Sequence, residues 1–339
     1  MIREITVICV SWGDARDALE AVASLARARA SMTRDSLRVS LTVVDNGGGE
    51  TLRLEEIQSL WPGAALLVNA SNRGLGPASN QAAASAAGDV LLFVNPDTRA
   101  DGDPFAPIAA AFEADASVVA VAPRLVEMDG GTPRPGPLSL APPGREDQAT
   151  FQLRRLPTLS ADARELLLID HLAPNNPGRR SARYADADRN VPFSVEQAAA
   201  AALSVRRDAF RRVGGFDEAF VPAWYEDVDL CQRLGREGTI RYLPEARFRH
   251  RGGDSASRLG YDRFLPILYR NALRYRRDRY GLPARLSYRA LLAAGMLLRL
   301  VLLPLRPAVP RSRGEAARAY LRVLRLALGL DPRTTTQDP

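Results

Sequence analysis

The sequence predicts an α/β fold, a mostly parallel sheet covered by helices and continued by a basic amphipathic helical tail. Two observations carry the first half of that expectation. Short apolar runs alternate with longer segments of helical period through the first hundred residues, and such alternation implies crossover connections and a parallel sheet. With 339 residues, 46% of them apolar, the chain can bury a substantial core. The third observation concerns charge. The net charge of +7 is carried by arginine alone, and residues 251–325 hold 17 Arg against Asp254, Asp262, Asp278 and Glu315. That segment is therefore +13 and the remainder −6, a basic tail on an acidic body.

The elements follow in order. EITVICV (4–10) reads as a buried strand and DARDALEAVASLARARA (14–30) as a helix begun by Asp14. The strand LRVSLTVVD (37–45), the turn NGGGE, the helix TLRLEEIQSLW and the strand AALLVN (64–69) come next. A glycine-bearing loop, ASNRGLGPASN, opens an Ala-rich helix over 78–87, and the strand DVLLFVN (89–95) runs into Pro96-Asp97. In parallel sheets ligands bind beyond the carboxyl ends of the strands, where Asp45, the 70–76 loop and Asp97 fall. Residues 129–148 and 173–190 are rich in Pro, Gly and Arg and read as loops. Regular patterning returns at VEQAAAAALSVRRDAF, and 261–280 is helical and basic. YRALLAAGMLLRLVLLPL (288–305) is nearly long enough to cross a bilayer. Arg299 within it and Pro304 near its end instead favour a helix lying at a membrane interface with snorkelling arginines. The alternative packs this face on the domain or on a second copy of the chain, as a homo-oligomer. EAARAYLRVLRLALGL repeats the Leu/Arg pattern.

Cys9 lies inside an apolar run and, with Cys231, offers no metal spacing, so it reads as a small buried hydrophobe. The N-terminus begins directly with a strand and shows no basic, apolar and cleavage regions in series, which favours a cytoplasmic location. The basic tail suggests a polyanion. Its arginines are interleaved with leucines and no nucleic-acid module is recognisable, so the expected partner is an anionic membrane surface, not nucleic acid.

Several residues carry candidate chemistry. Asp97, at the exit of a buried strand, can present a hard oxygen to Mg or Mn, although Asp at a strand end also forms turns and caps. Asp45 can accept a hydrogen bond from a pyrimidine imide or close an Asx-turn with Asn46-Gly47. The loop Asn72-Arg73-Gly74 precedes a helix, so its amides can face a phosphate; as a fragment of G-x-G-x-x-G it is a weak signal. Glu226 and Asp227 stand at a helix start, where the dipole favours carboxylates and keeps Asp227 ionised as a general base requires. Glu226 and Asp229 read as orienting or capping groups, and Asp217 as part of the GGFDE turn. His250, among Arg247, Arg249 and Arg251, is a candidate metal ligand.

Taken together, ITVICVSW, LTVVDNGG, NRGLGPASNQAAASAAGDVLLFVNPD, VRRDAFRRVGGFDEAF, YEDVDLCQRLGREG and LPEARFRH resemble the inverting glycosyltransferases of family 2, with the GT-A fold, and most closely the rhamnosyltransferase-like members. They cover about residues 4–98 and 195–255 in the family order. The resemblance implies a GT-A-type Rossmann-like sheet. It implies a nucleotide-sugar-binding half over 1–125, an acceptor-binding and catalytic half over 126–255, and a helical, membrane-associated region over 256–330. By the same resemblance Asp45 binds the base, and Ser11, Asn72, Arg73, Gly74, Asn95 and Glu226 belong to the substrate- and nucleotide-binding set. Asp97 is the last acid of the metal-binding D-x-D, His250 completes a divalent Mg or Mn site, and Asp227 is the catalytic base. Asn95 replaces the first acid of D-x-D, Gly13 and Gly48 stand where Asn and Ser are frequent, and Ala200 where Gly is usual. The implied donor is a nucleotide-diphosphate sugar, first dTDP-rhamnose. The implied acceptor is a saccharide or polyprenyl-diphosphate-linked saccharide at the inner face of the membrane, for cell-envelope polysaccharide. Competing readings are a soluble natural-product glycoside as acceptor, a non-catalytic carbohydrate-binding protein retaining the fold, and a dinucleotide oxidoreductase; VSWGDAR after the first strand lacks the glycine fingerprint of the last.

Overall fold

The run EITVICVS is apolar or small at nearly every position, and a strand of that composition is stable only where both faces are covered. It forms β1 (Glu4–Ser11) at the centre of the sheet, buried at all but its first residue. The computed structural model describes residues 1–13, 15–128, 152–252, 259–305 and 312–330. Asp14, expected to start the first helix, and the loop expected over 129–148 lie outside the described residues.

Contacts divide the chain into two units. The first, Met1–Gly131 with Glu146–Leu156 and Asp186–Gly252, is built on the sheet. β2 (Arg38–Asp45), β3 (Ala65–Val68) and β4 (Val90–Val94) run parallel to β1 in the order β3-β2-β1-β4. β10 (Ala202–Arg206) inserts antiparallel between β4 and β6 (Val118–Glu127), and β11 (Thr239–His250) runs parallel to β6. β5 (Thr98–Ala100) and β8 (Phe193–Val195) pair antiparallel with β11. Six of the nine strands thus share one direction, so the expected mostly parallel α/β sheet is what forms. β7 (Leu153–Arg154) and β9 (Gln197–Ala198) make a separate two-stranded ribbon.

Helices α1 (Ala15–Ala30), α2 (Leu54–Leu60), α3 (Leu75–Ser85) and α4 (Phe105–Ala114) belong to this unit. α3 starts three residues earlier than its apolar pattern suggests, because Gly74 (φ +94°) turns the chain straight into the helix. β11 also exceeds expectation. Only TIRYLP reads as a strand in sequence, but pairing continues to His250 across an irregularity between Leu243 and Arg247. Phe93, Phe210 and Phe216 pack with ring centroids 5.0–5.7 Å apart, and each aromatic pair adds roughly 0.5–1.5 kcal/mol beyond area burial. They fasten the GGFDE turn to β4. Cys9 and Cys231 are buried, free thiols, each pushed up by burial to about 12, which makes them inert packing residues.

The second unit contains Pro157–Ala185 and Gly253–Pro339. Part of the stretch expected as loop over 173–190 is helical: Asn176 caps Pro177–Ala182 through its side chain. The long helix Tyr261–Leu302 is broken at Gly281 (φ +83°), ahead of Pro283, so it is two helices meeting at a kink. Arg299 does not snorkel outward as expected. It is 5% exposed and donates to the carbonyls of Leu166, Gly295 and Glu165. The outward face is apolar instead, with Leu286 and Leu297 half exposed and Val301 and Leu305 73% and 80% exposed. By length and composition this helix could cross a membrane, its most apolar window having mean hydropathy 1.7. The last helix, Arg313–Leu328, exposes Arg313, Arg318, Arg322 and Arg325.

Candidate active site

Parallel strands put their carboxyl ends at one edge of a sheet, and the candidate residues of the first unit collect there. Ser11 and Asp45 are register partners at the ends of β1 and β2. The Asn46 amide donates to the Ser11 carbonyl and the Asn69 amide to the Asp45 carbonyl, which carries the edge across to β3. Asn95 and Asp97 follow β4, and the Asn95 amide donates to the Ala201 carbonyl ahead of β10. His250 ends β11 opposite Thr98 of β5.

That last pairing unites two residues far apart in sequence. Asp97 Oδ1 lies 3.4 Å from His250 Nε2, both side chains buried, and the Arg251 amide donates to the Asp97 carbonyl. Burial works to raise the Asp97 carboxyl, but the neighbouring His250, by charge and hydrogen bond, and then Arg251 outweigh it and hold it below the usual carboxylate range. Two atoms bound about 2.1 Å from one ion stand about 3.0 Å apart at an octahedral angle and about 3.4 Å at a tetrahedral one. An ionised carboxylate and an imidazole at this separation could together hold a divalent cation. Among the described residues no group of three His, Cys, Asp or Glu forms a fuller cage.

Asp45 closes the Asx-turn expected with Asn46-Gly47. Oδ1 accepts from the Gly47 amide and Oδ2 from the Leu52 amide. A carboxylate has about four acceptor sites, so each oxygen keeps a free lone pair for a base N–H. The Asn72-Arg73-Gly74 loop differs from expectation. The Arg73 amide donates to Asn46 Oδ1, the Gly74 amide to Asn72 Oδ1 and the Leu75 amide to the Pro222 carbonyl. Those amides are used inside the protein and do not face a phosphate; the loop's remaining cationic group is the Arg73 guanidinium. Asn46, read in sequence only as part of the Asx-turn, also organises the loop by donating to Asn72 and accepting from Asn69. Its position after Asp45 was the one available signal.

Asp227 is the second residue of the Glu226–Leu234 helix, which begins directly after Trp224 and Tyr225, with φ of +73° and +75°. Bulky residues held there cost roughly 1–3 kcal/mol each, and such strain persists where the surroundings over-determine a site. The Val228 amide donates to Asp227 Oδ1 at 2.8 Å, and the Ala200 amide also donates to the carboxylate. Ala200 therefore links the acid to the strand edge. The helix start does not decide the charge of this acid as expected: burial pushes the Asp227 carboxyl above the usual range, against the pull of those two amides and of Arg154. Burial, then the charge of Asp227, pushes Glu226 well above its ordinary value, and among the described residues one Glu226 carboxylate oxygen has no hydrogen-bond partner. Burial thus pushes both neighbouring acids upward, and a pair of carboxyls in unlike surroundings is an arrangement in which one can act as base. Asp229 is spent on Arg233, which donates to the carbonyls of Val213 and Gly215 and so secures the GGFDE turn. Asp217 closes that turn by accepting from the Ala219 amide. Asn80 of α3 bonds both the amide and the carbonyl of Phe216, and a Cβ on Gly215 would stand 2.6 Å from Asn80 Oδ1.

Comparison with known proteins bears on what this edge does. The model of glycosyl transferase family 2 matches residues 6–181, just over half of the chain. N-acetylglucosaminyl-diphospho-decaprenol L-rhamnosyltransferase of Mycobacterium tuberculosis is 29% identical over 237 residues, which are 65% of this chain and 69% of that protein. Among solved structures, the mannosyltransferase PcManGT from Pyrobaculum calidifontis, in complex with GDP-Man and Mn2+, aligns with a TM-score of 0.52 at 15% identity. The alignment covers 98% of this chain and 82% of PcManGT. GalNAc-T7 with UDP, GalNAc and Mn2+ aligns with a TM-score of 0.55 at 16% identity, over 97% of this chain and 56% of that one. At such identities the two structures speak for the fold alone.

Proposed function

Because the chain belongs to glycosyl transferase family 2, as its motifs suggested, and is a glycosyltransferase, we propose that it is a metal-dependent, inverting enzyme moving L-rhamnose from dTDP-rhamnose to a lipid-linked saccharide. The observation that carries this reading is the meeting of Asp97 and His250 at 3.4 Å, on the strand edge that also holds Asp45 and, through Ala200, Asp227. The sugar and acceptor rest on the M. tuberculosis relative, named for rhamnosyl transfer to N-acetylglucosaminyl-diphospho-decaprenol.

Asp45 accepts the imide N–H of the base, beside Ser11 at the end of β1, and the Arg73 guanidinium meets the diphosphate. Asp97 and His250 would hold a divalent Mg or Mn ion, with Asn95 two residues before Asp97. When bound, such an ion neutralises charge on the departing diphosphate. Asp227 receives the acceptor hydroxyl proton on the oxygen not engaged by Val228. The acceptor oxygen bonds to the anomeric carbon from one face while the bond to diphosphate breaks on the other, inverting the centre. A carboxylate is a weak base for an alcohol; it suffices because proton transfer is late and the partners are held in line. Glu226, whose carboxyl is pushed upward by burial and then by the charge of Asp227, stands beside it to orient the acceptor.

The test is transfer of radiolabelled sugar from a panel of nucleotide sugars to GlcNAc-diphosphate-polyprenol in detergent micelles with Mn2+. A product from dTDP-rhamnose is expected; absence of transfer from every donor would remove the assignment. EDTA should weaken nucleotide-diphosphate affinity by at least about tenfold and Mn2+ should restore it, since a bound ion supplies several kcal/mol of charge stabilisation. Indifference to EDTA would sink the metal role.

We further propose that the second unit holds the enzyme at the inner face of the cell membrane. The apolar stripe Leu286, Leu297, Val301 and Leu305, with exposed arginines on the following helix, suits insertion to the depth of anionic headgroups. Changing Leu297 and Val301 to Glu should abolish co-sedimentation with phosphatidylglycerol-rich vesicles and leave nucleotide binding intact. Unchanged co-sedimentation would refute the membrane role. A dimer in vesicle-free buffer, lost in the same variant, would assign the stripe to a second copy.

A further inference from the structure

A buried ion network lies behind the Asp97–His250 pair, and nothing in the reading above uses it. Arg99 of β5 is 9% exposed. Its Nη1 donates to the carbonyl of Pro96 at 2.6 Å and to that of Thr98 at 3.1 Å, the residues on either side of Asp97. Its Nη2 reaches Glu20 at 2.8 Å and Asp17 at 3.5 Å, both on α1. Asp17 is 6% exposed and takes Arg251 on its other oxygen. Arg251 follows His250, and its amide holds the Asp97 carbonyl. One carboxylate on α1 is therefore tied, through two guanidinium groups, to both strands that carry the pair.

A buried carboxylate with two arginines has a simpler explanation, as an ion cluster that pins α1 to the sheet. Its attachment points say more than that. An ordinary ion pair needs one contact between side chains, but Arg99 divides its planar fork between α1 and the backbone on either side of Asp97. Only a fork with fixed donors can do this, and lysine cannot. The Arg99 contact to Pro96 holds the peptide plane entering Asp97 and the Arg251 amide holds the plane leaving it, and together they set the direction in which the Asp97 carboxylate leaves the chain. Outer groups that orient ligands in this way set metal affinity as much as the ligands do.

We infer that Asp17, acting through Arg99 and Arg251, is the positioning residue of the cation site, and that α1 thereby controls how tightly the divalent ion is held. The inference rests on the metal reading of Asp97 and His250. It assigns a role in ion affinity to residues that never touch the ion.

The experiment measures Mn2+ binding to the full chain without donor, by loss of the free-ion EPR signal. Asp17→Asn should weaken Mn2+ binding by roughly 10–100-fold. Arg99→Lys keeps the buried charge, and so the fold, and should weaken it comparably because the fork is lost. In both variants kcat should recover at saturating Mn2+ while the concentration required for half-activity rises. Wild-type Mn2+ affinity in Arg99→Lys, or in Asp17→Asn where circular dichroism shows it folded, would overturn the inference and leave a purely structural ion cluster. Failure of the unaltered protein to bind Mn2+ at all would overturn the metal reading itself, a distinct result.

Discussion

Replacing Asp227 by Asn is expected to lower kcat by roughly 10²–10⁴-fold, the range in which positioned general bases contribute, and to leave dTDP-sugar affinity in the presence of Mn2+ within a few-fold of normal. The asparagine keeps the shape and can still meet one backbone amide, but it cannot take the acceptor proton. The pH profile provides a second readout. Burial raises the Asp227 carboxyl above its ordinary value. The base must be ionised to work, so activity is present above that raised value and is lost as pH falls through it. The acid limb of kcat/KM should therefore lie higher than for an exposed aspartate. Near-normal turnover in the variant would remove Asp227 from the chemistry. An acid limb at the ordinary carboxylate position would instead show that its burial is relieved in the working complex.

The second large effect is expected in the helical unit. Arg276 is 3% exposed, donates to the Asp162 carboxylate and to the Pro157 carbonyl, and lies 5.4–5.7 Å from the rings of Tyr275, Tyr280 and Tyr288. Burial pushes Asp162 up to about 7 even with Arg276 beside it. Arg276→Met fills the space but strands that carboxylate, and breaking a buried pair from one side costs about 3–5 kcal/mol. The loss should depend on pH in a definite direction. A carboxyl raised by the fold is tolerated while protonated and destabilises once ionised, so the deficit should be largest at pH 8 and shrink toward pH 5. Hydrogen exchange of the Tyr261–Leu302 amides reads it locally, and Asp162→Leu combined with Arg276→Met should restore most of the protection. A deficit below about 1 kcal/mol, or one equal at both pH values, would show that the pair is not the buried linkage described here.

Part of this protein was legible from its residues. Strand–helix alternation is a local signal, and the strands fell within a residue or two of expectation through β4, as did the helical character of the segment after Tyr261. Motif order identified the family because six short patterns in one sequence are jointly specific although none is alone. The amphipathic tail was also visible as composition, though the direction of Arg299 was not: only the packed Leu166 turn supplies the carbonyls that draw it inward.

What remained hidden belongs to non-local pairing and to burial. The antiparallel β10 between β4 and β6 cannot be read from a period, since strand order is set by which surfaces cover one another. The approach of His250 to Asp97 depends on β11 continuing past an irregularity to meet β5. The amides of Arg73 and Leu75 looked free in sequence because their acceptors, Asn46 and Pro222, come from elsewhere in the chain. The helix dipole argued for an easily ionised Asp227, and a property of the packed environment reversed that direction. Residue types and their order thus determined which chemistry this chain can offer and which family it joins. Only the folded arrangement decided which of those groups meet, because distance and desolvation are properties of packing and are carried by no single stretch of sequence.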